Sequence, residues 1–158
     1  MNSTDLANYI EDHQIMAEIV TLDVDTPTVE AAASAVNVIP EQIGKSLLFL
    51  VEGEPVLVIA NGITRVDYKA LADYMNVNRR RIKLANPEQV YYYTGYEVGT
   101  VPPFGHIRPL STLLEQSVID QQEIYAGGGE INTLMRISIS ELRRVTDAPS
   151  LILKKPEA

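Results

Sequence analysis

The sequence predicts one α+β domain, and three observations carry that prediction. Two short aliphatic runs, Ser46–Val51 and Val56–Ala60, flank the turn Glu52-Gly53-Glu54-Pro55, the pattern of a β-hairpin. Around it, helical stretches and strand-like runs alternate irregularly, with no repeat and no linker. The chain has 158 residues, 46% apolar and 22% charged, which suits one ordinary domain with its own core and argues against disorder.

Each element has a local reason. Leu6, Ile10, Ala17 and Val20 are spaced for one helical face, with Ser3, Thr4 or Asp5 as caps, so a helix is expected over roughly 4–20. Thr28 caps an alanine-rich second helix, Val29-Glu30-Ala31-Ala32-Ala33, ending near Asn37. The hairpin follows. Asp67 caps a third helix with Val66, Ala70 and Tyr74 on one side, and Pro87 opens a short helix to Tyr92. A glycine- and proline-rich loop runs from Gly95 to Pro109. Strands are expected at Ser111–Leu114, Glu123–Ala126 and Leu134–Ile137, then a helix at Ser140–Val145 and a last strand at Leu151–Leu153.

Composition excludes several function classes. Without cysteine there is no disulfide framework, thiolate zinc site, iron–sulfur cluster or cysteine nucleophile, and an intracellular setting is expected. The longest apolar runs are too short to span a bilayer, and Met1–Tyr9 carries Asp5 and no base, unlike a secretory signal. A cytoplasmic protein with no membrane partner is expected. A net charge of −8 argues against a nucleic-acid partner, DNA included, but the charge is uneven. Residues 1–60 carry −9, residues 61–110 carry +3 and residues 111–158 carry −2. The densest basic run is Arg79, Arg80, Arg81 and Lys83, either a solvated face or a phosphate-contacting patch.

The common catalytic motifs are missing. Gly44-Lys45-Ser46 lacks the earlier glycine of a nucleotide phosphate loop, since position 39 is isoleucine, and its lysine enters a strand rather than a helix. Gly127-Gly128-Gly129 has neither the spacing nor the helix of a dinucleotide fingerprint. His13 and His106 sit in no metal-ligand spacing, so neither metal nor cofactor is expected. No serine sits on a nucleophile elbow to make a triad with His106. Two features remain. Lys45, the one base in the first sixty residues, stands at the entrance to the hairpin, as an edge lysine or as a ligand cation. The stretch Thr94–His106 is either a connection or a rigid loop whose backbone amides hold an oxyanion.

Taken in order, several stretches resemble the YbaK/prolyl-tRNA-synthetase-associated domain family of freestanding aminoacyl-tRNA deacylases and editing inserts. They are Thr28–Ala32, Gln42–Phe49, Gly62–Leu71, Thr94–Gly99, Val101–Gly105 and Tyr125–Gly129, and the resemblance is strongest over 26–146 of a single editing domain spanning 1–158. It implies a curved mixed sheet flanked by helices, and hydrolysis of the ester joining a wrong amino acid to the terminal adenosine of tRNA. Lys45 stands at the family's essential lysine, and Gly99 and Pro103 fit its glycine-x-x-x-proline loop. Lys45 and Gly99 are therefore the expected catalytic residues. Thr28, Ser46, Thr100, Val101, Pro102, Pro103, Phe104, Gly127, Gly128 and Gly129 are expected to bind substrate. Arg79, Arg80, Arg81 and Lys83 are expected to touch tRNA. The chain departs from the family at Glu130-Ile131-Asn132, where relatives often carry histidine or serine, and Glu115 stands where many place an aspartate.

The implied chemistry suits these residues. An activated ester needs water and a preorganised oxyanion site rather than a covalent nucleophile. Lys45 would bind the terminal phosphate or ribose as a fixed cation. The expected pocket is small, lined by hairpin residues and closed by Pro102-Pro103-Phe104, and fits alanine, cysteine, serine or proline. The expected partners are the acceptor end of mischarged tRNA and an aminoacyl-tRNA synthetase. The alternative is a catalytically inactive tRNA- or synthetase-associated binding module of the same fold.

Overall fold

The computed structural model describes residues 1–155. Helix α1 (Ser3–Asp12) is capped by Asn2, whose side chain accepts from the Thr4 and Asp5 amides while the Asp5 carboxylate accepts from the Asn2 amide. The expected helix over 4–20 stops there. Gln14 turns left-handed at φ 53°, and β1 (Ala17–Thr21) follows as a strand. Ala17 and Val20 fit a helical face by spacing alone. The β-branched run Ile19-Val20-Thr21 instead packs on a sheet, pairing antiparallel with β7 (Thr133–Ser138).

Thr28 caps α2 (Val29–Ala35), its hydroxyl accepting the Ala31 amide at 3.1 Å. The hairpin is β2 (Gly44–Val51) and β3 (Glu54–Asn61), joined through Glu52 and Gly53, which both hold positive φ. That conformation gives the two-residue turn a twist matching the strands. Asp67 caps α3 (Tyr68–Met75). Its inward face is Leu71 and Ala72, packed with the expected Val66 and Ala70, whereas the expected Tyr74 is 47% exposed. Beyond one turn at Arg79–Arg81, β4 (Ile82–Leu84) pairs with Phe49–Val51. Asn86 and Gln89 form a capping box on α4 (Pro87–Thr94).

Strand β5 (Ser111–Glu115) runs parallel to β3 and is followed by α5 (Gln116–Ile119), β6 (Glu123–Gly127), β7, α6 (Ile139–Thr146) and β8 (Ser150–Leu151). The last strand is shorter than expected: the Leu153 amide leaves the ladder to bond the Glu115 carboxylate at 2.6 Å. The expected curved mixed sheet divides into two. A mixed five-stranded sheet has the order β4-β2-β3-β5-β8, and an antiparallel three-stranded sheet the order β1-β7-β6. They meet at a single parallel bridge, Ile43 with Tyr125.

Alternation along the hairpin sorts two cores. Leu48, Leu57 and Ile59 face the space between the sheets and pack with Ile124, Met135 and Ile137. Phe49, Val56 and Val58 face outward and pack with Leu71 and Ala72 of α3. The same alternation assigns Ser46 to the face of Leu48 and Lys45 to the face of Phe49.

Candidate active site

Where the sheets meet, β2 is paired on one edge only. Strand β4 covers Phe49–Val51, whereas Gly44–Leu47 have β3 alone as a ladder partner. A cleft of about 260 Å³ opens there. Gly44–Leu47 form one wall, Ala126 and Gly127 another, the start of α2 with Thr26, Pro27 and Thr28 a third, and Val98, Gly99 and Val101 the fourth.

Two glycines permit this closeness. A Cβ on Gly127 would stand 2.4 Å from the Val101 carbonyl oxygen and 2.8 Å from that of Thr100, so β6 and the loop touch backbone to backbone. A Cβ on Gly44 would meet Ile124 at 2.7 Å. Gly99 holds φ at 85° with open space where a side chain would project.

The loop from Gly95 to Pro109 is folded on itself. The Tyr96 hydroxyl donates to the Gly105 carbonyl, Thr100 Oγ1 donates to the Glu97 carbonyl at 2.7 Å, and the Gly129 amide donates to the Thr100 carbonyl at 3.0 Å. Tyr96 is fully buried, and that burial with the charge of Asp5 raises its pKa to about 12, so its hydroxyl stays a donor. Among the described residues, the amides of Gly99 and Val101 have no acceptor. With the Val98 amide, they are donors this loop leaves available beside the cleft.

Lys45 is half-buried and pairs with no carboxylate among the described residues. Burial, and secondarily the nearby Arg65 guanidinium, lower its pKa below that of an ordinary lysine, a shift no sequence feature announces. Ser46 Oγ is buried at the same wall without a hydrogen-bond partner. An orphaned hydroxyl of this kind costs about 1–3 kcal/mol.

The structure brings together Lys45, Ser46, Thr28, Gly99, Val101 and Gly127. Thr100 lies just behind them, its carbonyl engaged by Gly129. Pro102, Pro103 and Phe104 do not close this cleft. Phe104 stacks on Tyr9 at 5.9 Å, and with Pro103 lines a separate depression, because the φ of 75° at Gly105 lets the chain press against Tyr9. Gly128 packs against Thr133 and Gly129 against Asn2 and Ser3, outside the lining. Arg79, Arg80, Arg81 and Lys83 are exposed at the opposite end of the hairpin, about 15–20 Å away along β2 at the usual rise per residue.

Other candidates are structural. Glu115 is fully buried and accepts the Ser117 and Leu153 amides. Glu130 accepts from the hydroxyl and amide of Ser3, tying the glycine turn to α1. His106 Nε2 donates to the Pro102 carbonyl at 2.7 Å, and burial lowers its pKa against the opposing pull of that bond. Among the described residues no three His, Asp or Glu side chains gather to hold a metal ion, and no helix is long and apolar enough to cross a membrane. Leu47 is the expected aliphatic hairpin residue on the lining, whereas the apolar lining at Val29, Ile43, Val98 and Leu134 was not foreseen. Its position depends on how the two sheets meet, which no local pattern carries.

An α+β domain with a lysine strand facing a glycine loop across a small cleft defines the class. Residues 23–145 match the family of aminoacyl-tRNA editing domains, and the chain belongs to that family. It is similar to the uncharacterized protein YwhH of Bacillus subtilis, 29% identical over 79% of this chain and 78% of that one. It is 28% identical to a proline–tRNA ligase of Lactiplantibacillus plantarum over 68% of this chain, but the match spans only 19% of the ligase. A solved structure of a candidate trans-editing enzyme for prolyl-tRNA synthetase is 30% identical, with a TM-score of 0.88 over 98% of this chain and 97% of that one.

Proposed function

We propose that this chain hydrolyses the ester of mischarged tRNA in trans, with water as the nucleophile. The observation that carries the reading is the convergence of Lys45 and the unengaged amides of Gly99 and Val101 on one cleft of about 260 Å³. Water adds to the ester carbonyl, and the charge that forms on its oxygen is held by the loop amides. Collapse breaks the bond to the ribose oxygen, which takes a proton as the amino acid leaves. Removing one such donor typically costs on the order of 10²–10³ in rate. Lys45 holds the terminal phosphate or ribose as a cation.

The cleft size favours a small aminoacyl group. A pocket distinguishes side chains differing by one methylene by only about 10–200-fold, which is the physical motive for a second, hydrolytic sieve. The prolyl-tRNA ligase relatives make tRNA charged by that synthetase the first substrate to try, with alanine, cysteine and serine as the misplaced acids; proline is tried on tRNAs of other amino acids. A contact of Arg79–Lys83 with the RNA body is a separate part of the proposal. The test is a panel of mischarged tRNAs against wild type and Lys45→Ala. Turnover of at least one member, lost in Lys45→Ala, is expected. No turnover, together with co-purification with a synthetase, would make the chain a binding module instead.

A further inference from the structure

A second and larger cleft adjoins the first. It holds about 500 Å³ and is lined by the end of β3 and its turn, the start of α5, and the segment after β8. The two clefts share one structural boundary: Gly44, in the wall of the first, is the ladder partner of Asn61, in the wall of the second. The Gly62 amide donates to the Ile43 carbonyl at 2.6 Å across the same junction. Three cations line the second cleft: Arg65, Lys154 and Lys155. A Val66–Lys154 bridge and the Lys155 amide bond to the Arg65 carbonyl hold them side by side. None has an ion-pair partner among the described residues.

Two acids, Glu115 and Asp120, share the lining with the three cations, which leaves it net positive. Both Glu115 oxygens accept backbone amides, and Asp120 accepts from Gln116 Nε2 at 3.0 Å. Two isoleucines on the lining, Ile63 and Ile152, are 55% and 70% exposed. Unpaired cations beside bare apolar side chains match a single-stranded polynucleotide, which presents phosphates and base faces together. A free phosphate would leave the isoleucines without a purpose.

We propose that this cleft binds the backbone of the single-stranded 3′ end of the RNA, Arg65, Lys154 and Lys155 holding phosphates upstream of the ester that enters at Lys45. The assignment rests on the editing reading above. Arg79–Lys83, at the far end of the hairpin, does not hold the terminal nucleotides.

The probe is an uncharged RNA hairpin with a four-nucleotide single-stranded 3′ tail, followed by fluorescence anisotropy across a salt series. Replacing Arg65, Lys154 and Lys155 together by glutamine should weaken binding about 10-fold or more. It should also reduce the slope of log affinity against log salt by about 2, since each single-strand phosphate contact contributes about 0.7. Loss of the charges at Lys69 and Arg143, outside this cleft, should change neither. Acetylation of the wild-type protein gives a second measurement that needs no variant: RNA should protect Lys154 and Lys155, whether or not the hairpin body also shields Lys83. Unchanged affinity and slope in a folded triple variant, or protection of Lys83 alone, would overturn the proposal. Outcomes on the mischarged-tRNA panel are read separately. Wild-type turnover with an unaffected triple variant sinks the subsite and keeps editing; tail binding lost in the variant, with no turnover anywhere, sinks editing and keeps the subsite.

Discussion

Gly127→Ala tests whether the backbone contact between β6 and the loop sets the reacting geometry. The new Cβ would stand 2.4 Å from the Val101 carbonyl oxygen, where ordinary contacts begin at 3.4 Å, so one side must yield by about 1 Å. Both sides are backbone; Gly127, the last residue of β6, is held in the β6–β7 ladder opposite Leu134, whereas the loop belongs to no ladder, so the loop is the part that moves. Gly99 and Val101 move with it. A misplacement of about 1 Å can cost on the order of 10² in rate. The expected fall in kcat/KM is therefore about 100-fold, or roughly 2.7 kcal/mol of transition-state stabilisation. Overpacking should lower stability by about 1–3 kcal/mol, leaving a folded protein to assay. Deacylation of the preferred mischarged tRNA gives the rate, and circular dichroism checks the fold. A folded variant within threefold of wild type would refute a reaction geometry set by this contact.

Three further outcomes are expected. Ser46→Ala removes a buried, unpartnered hydroxyl, so it should raise Tm by about 2–12 °C; a lower Tm would mean the hydroxyl is satisfied within the protein. Because Arg65 helps to lower the Lys45 pKa, the lysine loses its charge at a lower pH than an ordinary lysine as pH rises. Arg65→Gln should therefore shift the alkaline limb of the KM profile to higher pH, and an unmoved limb would remove Lys45 as its source. The Arg144 guanidinium and the Met16 amide hold the Glu141 pKa at about 2, below the ordinary 4.5. That stabilisation is full above the unfolded value and is lost as pH falls toward about 2. In urea titrations Glu141→Gln should be less stable than wild type at pH 7, with the difference shrinking between pH 4.5 and 2.

Local chemistry made much of the fold legible. Thr28, Asp67 and Pro87 mark helix starts because caps act within one turn, and Glu52-Gly53 marks the hairpin because few residues hold positive φ. The first element was misread where two periodicities overlap. Ala17 and Val20 fit a helical face, and the left-handed Gln14 that ends α1 has no sequence signature. The partner of β1 lies more than a hundred residues away on β7, beyond any local pattern. Strand β4 hid behind three arginines, and Tyr74 drew attention from Leu71 and Ala72.

The candidate site divides in the same way. Lys45 and the loop holding Gly99 stood out by charge and composition, and family resemblance alone gave them catalytic roles. The proline–phenylalanine segment was expected at the cleft because it follows the glycine loop, yet Gly105 turns it onto Tyr9. Glu130 marks the chain's departure from the family after three glycines, and its carboxylate anchors Ser3. In each case the deciding contact joins segments far apart in the chain.

The one-sided pairing of β2 has a consequence for hydrogen exchange. Phe49–Val51 lie between two strands, so exposing their amides requires opening much of the five-stranded sheet. Gly44–Leu47 are laddered on one edge only and border a cleft, so they can exchange through smaller openings. Protection should therefore rise along a single strand, from its entrance toward the hairpin turn. A ligand filling the cleft should level that gradient, giving occupancy a readout independent of turnover.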